Sequence, residues 1–404
     1  MASYKNSKKE SQVVRITTID ESYMLNNYGT FLQHYALRRF LKTYGYVVYR
    51  DVWEPLAYKG PCEQLKWWYK HTISFSSIKK ILKIVLTKFK VYRKYSDYAA
   101  VQYFLQPIKF RLSYTKLIGS WREYSQKTPD FCIAGSDQVF FWYDIEGHHR
   151  RFMDNAPAGS IKISYAASSN WLLARESEDW IRNTGISLKN YHAVSVRELI
   201  GQEILQEIIQ DKKVVHVSDP TMLLNKSDYL EIISPEKYFK KPVLLCYMLH
   251  CNPEKLHLNE LIEIAAELNV DLKIIGLQGT EKHISAQYGI SPSPEDFLRA
   301  YRDAEYVITN SFHGTVFSIL FETRWVSIDQ VGKVEHLQNV RHKELLKVLQ
   351  IEDRAVSFSK DRVLDLLKKD IDWCEIERKK TIFTSESKNW LLNALEQGKK
   401  ISEA

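Results

Sequence analysis

The chain has 404 residues, 45% of them hydrophobic and 26% charged, a composition typical of a globular protein that buries a large core. Its polar start lacks the apolar segment of a signal peptide, and no run of about 18 apolar residues predicts a membrane-spanning helix. The five cysteines are scattered and form no CxxC pair, which favours reduced thiols in a cytoplasmic protein over disulfides or zinc ligands.

The net charge of +8 is unevenly distributed along the chain. Residues 64–96 contain nine Lys or Arg and no Asp or Glu. This one stretch therefore carries a charge as large as the excess of the whole chain, and any inference from the basic composition concerns this segment.

Short β-branched runs alternate with amphipathic stretches along most of the first half, a pattern typical of α/β folds with parallel sheets. A strand is predicted at 13–19 and a helix at 29–45, where apolar residues recur every three or four positions and Gly45 suits the C-terminal end. Further strands are predicted at 46–51, 131–135, 162–167, 193–198 and 213–220.

The second half repeats the alternation without a detectable sequence repeat. Its predicted strands are 242–249, 271–277, 306–310 and 325–329, and its predicted helices lie near 254–268, at 294–303, after about 314 and in the tail beyond about 340. The pattern predicts two facing doubly wound (Rossmann-like) domains, 1–225 and 226–404, with a helical insertion at about 55–125. In such sheets ligands bind beyond the carboxyl ends of the strands.

Common catalytic and nucleotide-binding motifs are absent from the sequence: it contains no GxGxxG, Walker, HExxH or GxSxG motif. The pairs His148-His149 and His250-Cys251 lack the spacing of metal ligands on a helix, so surface or packing roles are favoured and no metal site is predicted.

Polar residues follow two predicted strands of the first half. Asn27 and Gly29 precede the first helix, where they suit either a helix cap or an anion site at the helix start. Ser136, Asp137 and Gln138 follow the strand at 131–135, where they suit either a cap or a face of the cleft.

Two further strand ends carry an ionisable residue. Arg197 ends an apolar strand, and burial there requires an anionic partner, which is either a ligand or the adjacent Glu198. His313 lies between a strand and a helix, where it is either a packing residue or a group that exchanges protons near neutral pH. Because the fold brings strand ends together, these positions are expected to share one site.

The stretches NNYGTFLQHYALRRFL, FCIAGSDQVFF, KISYAASSN, AVSVRELIGQEIL, SDPTMLL and VITNSFHGTVFSILF together resemble the polysaccharide pyruvyl transferase family. Their order and spacing match from about residue 13 to residue 350. The resemblance implies a glycosyltransferase-B-like fold and an enzyme that transfers the enolpyruvyl carbons of phosphoenolpyruvate to a sugar. The product is a cyclic pyruvate ketal, phosphate is released, and no metal or cofactor takes part.

The resemblance also implies roles for individual residues. His313 would be the acid/base, and Arg197 would hold the donor. The segment that cradles the phosphate would consist of Ser311, Phe312, Gly314 and Thr315 as well as the histidine. The cleft on the acceptor side would be lined by Asn27, Gly29, Ser136, Asp137 and Gln138.

One position departs from the family pattern. Members that form ketals often have Arg-Leu-His at the histidine motif, whereas this chain has Ser311-Phe312-His313. Either another cation, Arg341 or Lys333, binds the donor, or the donor is different. Two alternative functions therefore stay open: another glycan-modifying transferase, such as one that uses a nucleotide sugar, and a glycan-binding protein without catalysis.

The basic segment, residues 64–96, contains an amphipathic stretch at 76–95 with apolar residues on one face and lysines on or beside the other. Such a helix suits an anionic membrane surface, but it equally suits a helix packed on the domain with a solvated basic face. Nothing else in the sequence indicates nucleic-acid binding. A membrane contact would fit an acceptor that is a lipid-linked bacterial capsule or exopolysaccharide precursor, with a galactose-type sugar and an enzyme on the inner face of the cytoplasmic membrane.

Overall fold

The computed structural model describes residues 12–17, 27–50, 106, 109–110, 112–113, 116–118, 128–141, 148–149, 151–249, 256–276, 287–332 and 335–402. The basic segment and almost all of the predicted insertion lie outside the described residues. So do His250, Cys251 and Lys333.

The first half forms a six-stranded parallel sheet with the order β2-β1-β3-β4-β5-β6. Most of its central strand residues are buried, because helices cover both faces of a doubly wound sheet. The strands are β1 (Val13–Thr17), β2 (Val47–Arg50), β3 (Phe131–Ala134), β4 (Ile161–Ala167), β5 (Ala193–Val196) and β6 (Val214–His216).

The second half forms another six-stranded parallel sheet, with the order β12-β11-β10-β7-β8-β9. The strands are β7 (Val243–Tyr247), β8 (Asp271–Ile275), β9 (Gly289–Ile290), β10 (Tyr306–Thr309), β11 (Arg324–Ile328) and β12 (Ala355–Val356). The two sheets confirm the predicted fold class of two doubly wound, Rossmann-like domains.

Helices connect the strands and pack on the sheets. They are α1 (Tyr28–Thr43), α2 (Trp171–Ala174), α3 (Glu178–Leu188), α4 (Leu199–Ile208), α5 (Lys226–Leu230), α6 (Leu258–Glu267), α7 (Pro294–Asp303), α8 (Phe312–Phe321), α9 (Asn339–Val348), α10 (Lys360–Lys368) and α11 (Trp373–Ser402). Helix α1 ends two residues before the predicted end, and Gly45 follows it in the left-handed conformation, with φ +83°, that the prediction relied on. No helix in the described ranges is both long and apolar enough to cross a membrane.

The strand order reverses once in each sheet. In the first sheet the chain leaves β1 for β2 on one side and then returns to β3 on the other, and in the second sheet β7 and β10 have the same relation. Loops diverge at such switch points and leave a crevice at the carboxyl ends of the strands. The residues that follow β3 and β10 therefore lie where a binding site is expected.

The two halves contact each other directly. The ring of Tyr28 in α1 stacks on Phe297 in α7 with centroids 4.3 Å apart, and the Tyr28 hydroxyl donates to the Pro292 carbonyl at 2.8 Å. The last helix, α11, returns to the first sheet, where Gly398 packs closely against Ile161 and Phe131. The predicted boundary near residue 225 stays a prediction, but the end of the chain packs on the first sheet.

Candidate active site

His313 lies in the first turn of α8, just beyond the carboxyl end of β10. Ser311 begins this helix as its N-cap, since its side-chain oxygen accepts a hydrogen bond from the Gly314 amide at 3.3 Å. The side chain of His313 is almost fully buried, with 6% of the residue exposed. The predicted position of His313 between a strand and the start of a helix is confirmed.

Gly29 packs against the His313 ring from the other half of the molecule. A Cβ built on Gly29 would lie only 2.0 Å from Nδ1 of His313, far closer than non-bonded heavy atoms approach each other. Gly29 therefore allows the start of α1 to approach the imidazole. The adjacent Asn27 is the N-cap of α1, accepting from the Thr30 amide at 3.2 Å, so the helix-cap interpretation of Asn27 holds.

Asp219 faces the other ring nitrogen of His313. Its Oδ2 lies 3.5 Å from Nε2, an electrostatic contact between the two halves rather than a hydrogen bond. The same carboxylate accepts hydrogen bonds from the Ser136 hydroxyl at 2.9 Å and the Thr221 amide at 2.9 Å. Burial alone would raise the pKa of Asp219, but the charges of His313 and Arg197 hold it well below its usual range.

Arg197 is buried and fully engaged by protein groups. Its Nε donates to Glu198 at 2.8 Å, Nη1 to Asp219 at 3.0 Å and Nη2 to the Ser168 hydroxyl at 3.1 Å. Its guanidinium also lies over the Phe312 ring, 4.2 Å from the centroid. Of the two partners expected for Arg197, a ligand or Glu198, the structure shows Glu198. A role for Arg197 in donor binding stays a prediction.

Asp137 has a left-handed backbone conformation with φ +69°, which is uncommon for a residue with a side chain. Its carboxylate accepts a hydrogen bond from the Thr30 hydroxyl at 2.6 Å. Burial would raise the pKa of Asp137, but the charges of Arg197 and His313 and this hydrogen bond lower it below the ordinary value. Asp137 thus ties the loop after β3 to the start of α1.

Arg341 in α9 is the second arginine of the site, and it differs from Arg197 because no carboxylate pairs with it in the part of the chain that the structure describes. Its guanidinium donates to Gln338. Both terminal nitrogens also lie 3.2 Å from the side-chain amide of Gln138, whose oxygen is assigned to this position because it can then accept from both. Burial first, and then the positive charge of Arg197, lower the pKa of Arg341 to about 10. An anion bound beside Arg341 would relieve both effects.

The predicted phosphate cradle, residues 311–315, is largely occupied by its own contacts. The amide of Thr315 donates to the Ser311 carbonyl at 3.0 Å, and the Thr315 hydroxyl contacts the Ser327 hydroxyl at 2.7 Å. A Cβ on Gly314 would lie 2.2 Å from Oγ1 of Thr309. Gly314 and Thr315 thus pack the helix onto its sheet, and a contact with phosphate stays a prediction.

Sequence reasoning missed Asp219 as a site residue, although it lies within the quoted stretch SDPTMLL. Asp219 was placed inside the predicted strand 213–220, whereas the observed β6 ends at His216 and leaves it beyond the strand end. Nothing in the sequence singled out Ser168, whose hydroxyl accepts a hydrogen bond from Arg197, because serines are common at strand ends.

His148 and His149 lie away from this cluster, and the fold adds Asp154 to them. The three ligand atoms lie within 4.8 Å of one another. His148 stacks on Phe152 at 4.4 Å, and its Nε2 is 2.9 Å from the Ser187 hydroxyl, while burial lowers the pKa of His148 to about 4. His149 is exposed and pairs with Asp154 at 2.8 Å. These contacts agree with the packing and surface roles expected for the pair.

The site thus lies between two doubly wound domains and consists of a histidine, three buried carboxylates (Asp137, Glu198 and Asp219) and two arginines, contributed by both halves. The family model of the polysaccharide pyruvyl transferases matches residues 27–330, most of the chain. The chain therefore belongs to the polysaccharide pyruvyl transferase family, as the resemblance had indicated. None of the curated proteins compared with it matches.

Several solved structures are similar over nearly the whole chain. The UDP-GlcNAc 2-epimerase from Neisseria meningitidis, bound to UDP-GlcNAc, is 10% identical with a TM-score of 0.48, over 96% of this chain and 100% of that one. The UDP-N-acetylglucosamine 2-epimerase from Rickettsia bellii is 11% identical with a TM-score of 0.47, over 96% of each chain. MurG from Acinetobacter baumannii is 12% identical with a TM-score of 0.41, over 96% and 99%.

Proposed function

We propose that the protein transfers pyruvate from phosphoenolpyruvate to two hydroxyls of a sugar and so forms a cyclic pyruvate ketal. The observation that carries this proposal is the contact of His313 with Asp219 at the junction of the two halves, in a chain of this family. A histidine held by a carboxylate is suited to give and take protons near neutral pH.

The reaction needs proton transfers but no redox step. The methylene carbon of phosphoenolpyruvate gains a proton and becomes a methyl group, while two sugar oxygens bond to the central carbon. The bond from that carbon to the phosphate oxygen breaks. Of the two hydroxyl protons, one balances the methyl group and the other leaves with phosphate. His313 is the group we assign to these transfers, and Asp219 would stabilise the imidazolium form.

Arg341 is the cation that we assign to the donor in place of the arginine missing at Ser311. Arg197 already contacts Glu198 and Asp219, whereas Arg341 contacts amide oxygens and has a lowered pKa. Phosphate or carboxylate groups are bound well by a planar guanidinium. The donor is thus expected between Arg341 and His313.

The acceptor that we propose is a galactose-type sugar on a lipid-linked capsule or exopolysaccharide precursor. The basic segment would then bring the enzyme to the anionic membrane that carries this lipid. Co-sedimentation with vesicles of anionic phospholipid tests this part, with Lys79, Lys80 and Lys83 changed to Glu as the comparison. Equal sedimentation of the wild type and the triple variant would contradict a membrane role for the segment.

The test of the reaction uses phosphoenolpyruvate with a panel of model and lipid-linked galactosides. We expect phosphate release together with a mass gain equal to pyruvic acid less one water on the sugar. Isothermal titration calorimetry with phosphoenolpyruvate alone gives an answer without an acceptor. If UDP-sugars bind and phosphoenolpyruvate does not, the protein is a nucleotide-sugar transferase instead. If neither donor binds while glycans do, it is a glycan-binding protein.

A further inference from the structure

Helix α4 does not cap its own N-terminus. Glu198 occupies the N-cap position but makes no side-chain hydrogen bond to the helix. Its carboxylate instead accepts from Arg197, from the Ser168 hydroxyl at 2.9 Å and from Trp171 Nε1 at 2.7 Å. Because the first amides of a helix have no partner within it, another group has to satisfy them.

Glu344 supplies that cap from the other half of the molecule. Its Oε2 accepts from the Leu199 amide at 2.6 Å and its Oε1 accepts from the Ile200 amide at 3.1 Å. Both carboxylate oxygens thus bind successive amides at the start of α4, a position where the helix dipole favours negative charge. The contact joins α9 to the helix that begins directly after Arg197 and Glu198.

Arg341 lies one helical turn before Glu344 on α9, on the side that faces the first half. Between α9 and the first half lies a small pocket, whose lining includes Ser169, Asn170 and Ile200 from the first half and Arg341 from α9. Ser169 Oγ and Asn170 Oδ1 are buried there without a hydrogen-bond partner among the described residues. The spacing of α9 from the first half therefore sets both the width of this pocket and the position of Arg341.

We propose that Glu344 is a positioning residue, which by capping α4 across the two halves holds α9 so that Arg341 stands over the cleft beside Arg197. The assignment of Arg341 to the donor rests on the proposed function, whereas the link between the two helices does not. Glu344 itself touches no reacting group. It acts through the helix that carries Arg341.

The charges around Glu344 make this link sensitive to pH. Burial first, and then the negative charges of Glu198 and Glu203 on the opposing segment, raise the pKa of Glu344 to about 7, although the two amide hydrogen bonds oppose this. On its own helix Arg341 and Lys347 lie one turn to either side. An acid with a raised pKa stabilises the linked state at low pH, and that stabilisation is lost as the pH rises through about 7.

Hydrogen–deuterium exchange of the peptide that contains Leu199 and Ile200 tests the link directly, after correction for the intrinsic effect of pH on exchange. In the wild type we expect protection to fall about tenfold between pH 6 and pH 8.5, because about one pH unit of this range lies below the raised pKa of about 7. Glu344→Gln keeps an acceptor oxygen without the charge, so its protection should not change with pH. Glu344→Ala should lose protection at both pH values.

Glu207→Gln is the matched control, because Glu207 is an exposed residue of α4 and, in the described part of the chain, makes no bond to α9. It should behave as the wild type. Thermal unfolding of all variants shows whether each is folded. Equal protection in wild type and Glu344→Ala at pH 6 would overturn the proposal, and so would a pH response of Glu344→Gln equal to that of the wild type.

Calorimetry with phosphoenolpyruvate at both pH values tests the consequence for the donor. Relative to the wild type at the same pH, Glu344→Ala should bind at least fivefold more weakly at pH 6, and Glu344→Gln should bind more tightly at pH 8.5. If no variant and no wild-type protein binds phosphoenolpyruvate, the proposed function fails while the exchange result still decides the link. If the donor binds equally to all variants, Glu344 does not position Arg341.

Discussion

The two strand-end clusters of this molecule use their charges differently. In the first half, Arg197 is compensated within the same sheet by Glu198 and Asp219, and all three are almost fully buried. The second half contributes His313 and Arg341. Among the described residues, Nε2 of His313 has no hydrogen-bond partner and Arg341 contacts no carboxylate within ion-pair distance.

This difference separates groups that maintain the site from groups that a substrate can use. Charges that are already paired in a dry environment resist rearrangement, because breaking such a pair leaves a buried charge uncompensated. Groups with unused hydrogen-bonding capacity gain most from a ligand. The first half thus provides a rigid electrostatic base, and the second half provides the groups that meet the substrate.

Removing the histidine gives the largest effect that this comparison predicts. His313→Ala should lower turnover by roughly 10²–10⁴-fold, the range of general acid–base catalysis. The fold should persist, because the imidazole is linked to Asp219 only by a 3.5 Å contact. Phosphate release and circular dichroism measure the two effects. A variant with nearly normal turnover would remove His313 from the chemistry.

Removing Arg197, the paired arginine, should lower the unfolding free energy more than it weakens donor binding. Arg197→Ala leaves Glu198 and Asp219 without their shared cation, and breaking a buried pair costs about 3–5 kcal/mol of unfolding free energy. Denaturant unfolding measures this loss. A stable variant with weakened binding of phosphoenolpyruvate would reverse the comparison and make Arg197 the donor's cation.

Filling the space beside the histidine should harm activity without weakening the helix. Gly29→Ala places a Cβ 2.0 Å from the unmoved Nδ1 of His313, so the ring has to shift, and a shift of about 1 Å can cost about 10²-fold in rate. Alanine is the better helix former by about 1 kcal/mol. Gly185→Ala in α3, where the new Cβ meets only Ile208 at 3.1 Å, is the matched control and should retain its rate.

Removing the second arginine should give the smallest and most selective effect. Arg341→Ala should weaken binding of phosphoenolpyruvate by roughly 10–100-fold, the value of a charge-assisted hydrogen bond of about 1.5–3 kcal/mol. Its unfolding free energy should change little, since no carboxylate in the described ranges loses a partner. Calorimetry and denaturant unfolding together test this. Unchanged affinity would mean that another cation binds the donor.

The architecture could be predicted because it depends on local patterns. The alternation of apolar strands with amphipathic helices predicted the two sheets, and each described strand longer than two residues lies within one residue of a predicted run at its start. The short β9 and β12 were missed, because two residues are too few for a pattern. Helices α3 and α4 were not predicted either.

The site was predicted only in part. Gly29, Ser136, Asp137, Arg197 and His313 do converge, because strand ends of a doubly wound sheet meet. Their contacts could not be predicted: Asn27 caps its helix, Arg197 is already paired, and Thr315 is buried under β11. Such outcomes depend on distances between segments far apart in the chain.

The alternating elements, the family and the positions of the chemically capable residues could all be read from the amino-acid sequence, because periodicity, capping and motif spacing are local properties. Which of those residues pair with one another depended on how the two halves pack. Asp219 contacts His313, the absence of a side chain at Gly29 leaves room for the His313 ring, and Glu344 caps a helix 145 residues earlier in the chain. Burial makes each of these pairings strong, and burial exists only once the two halves are packed together.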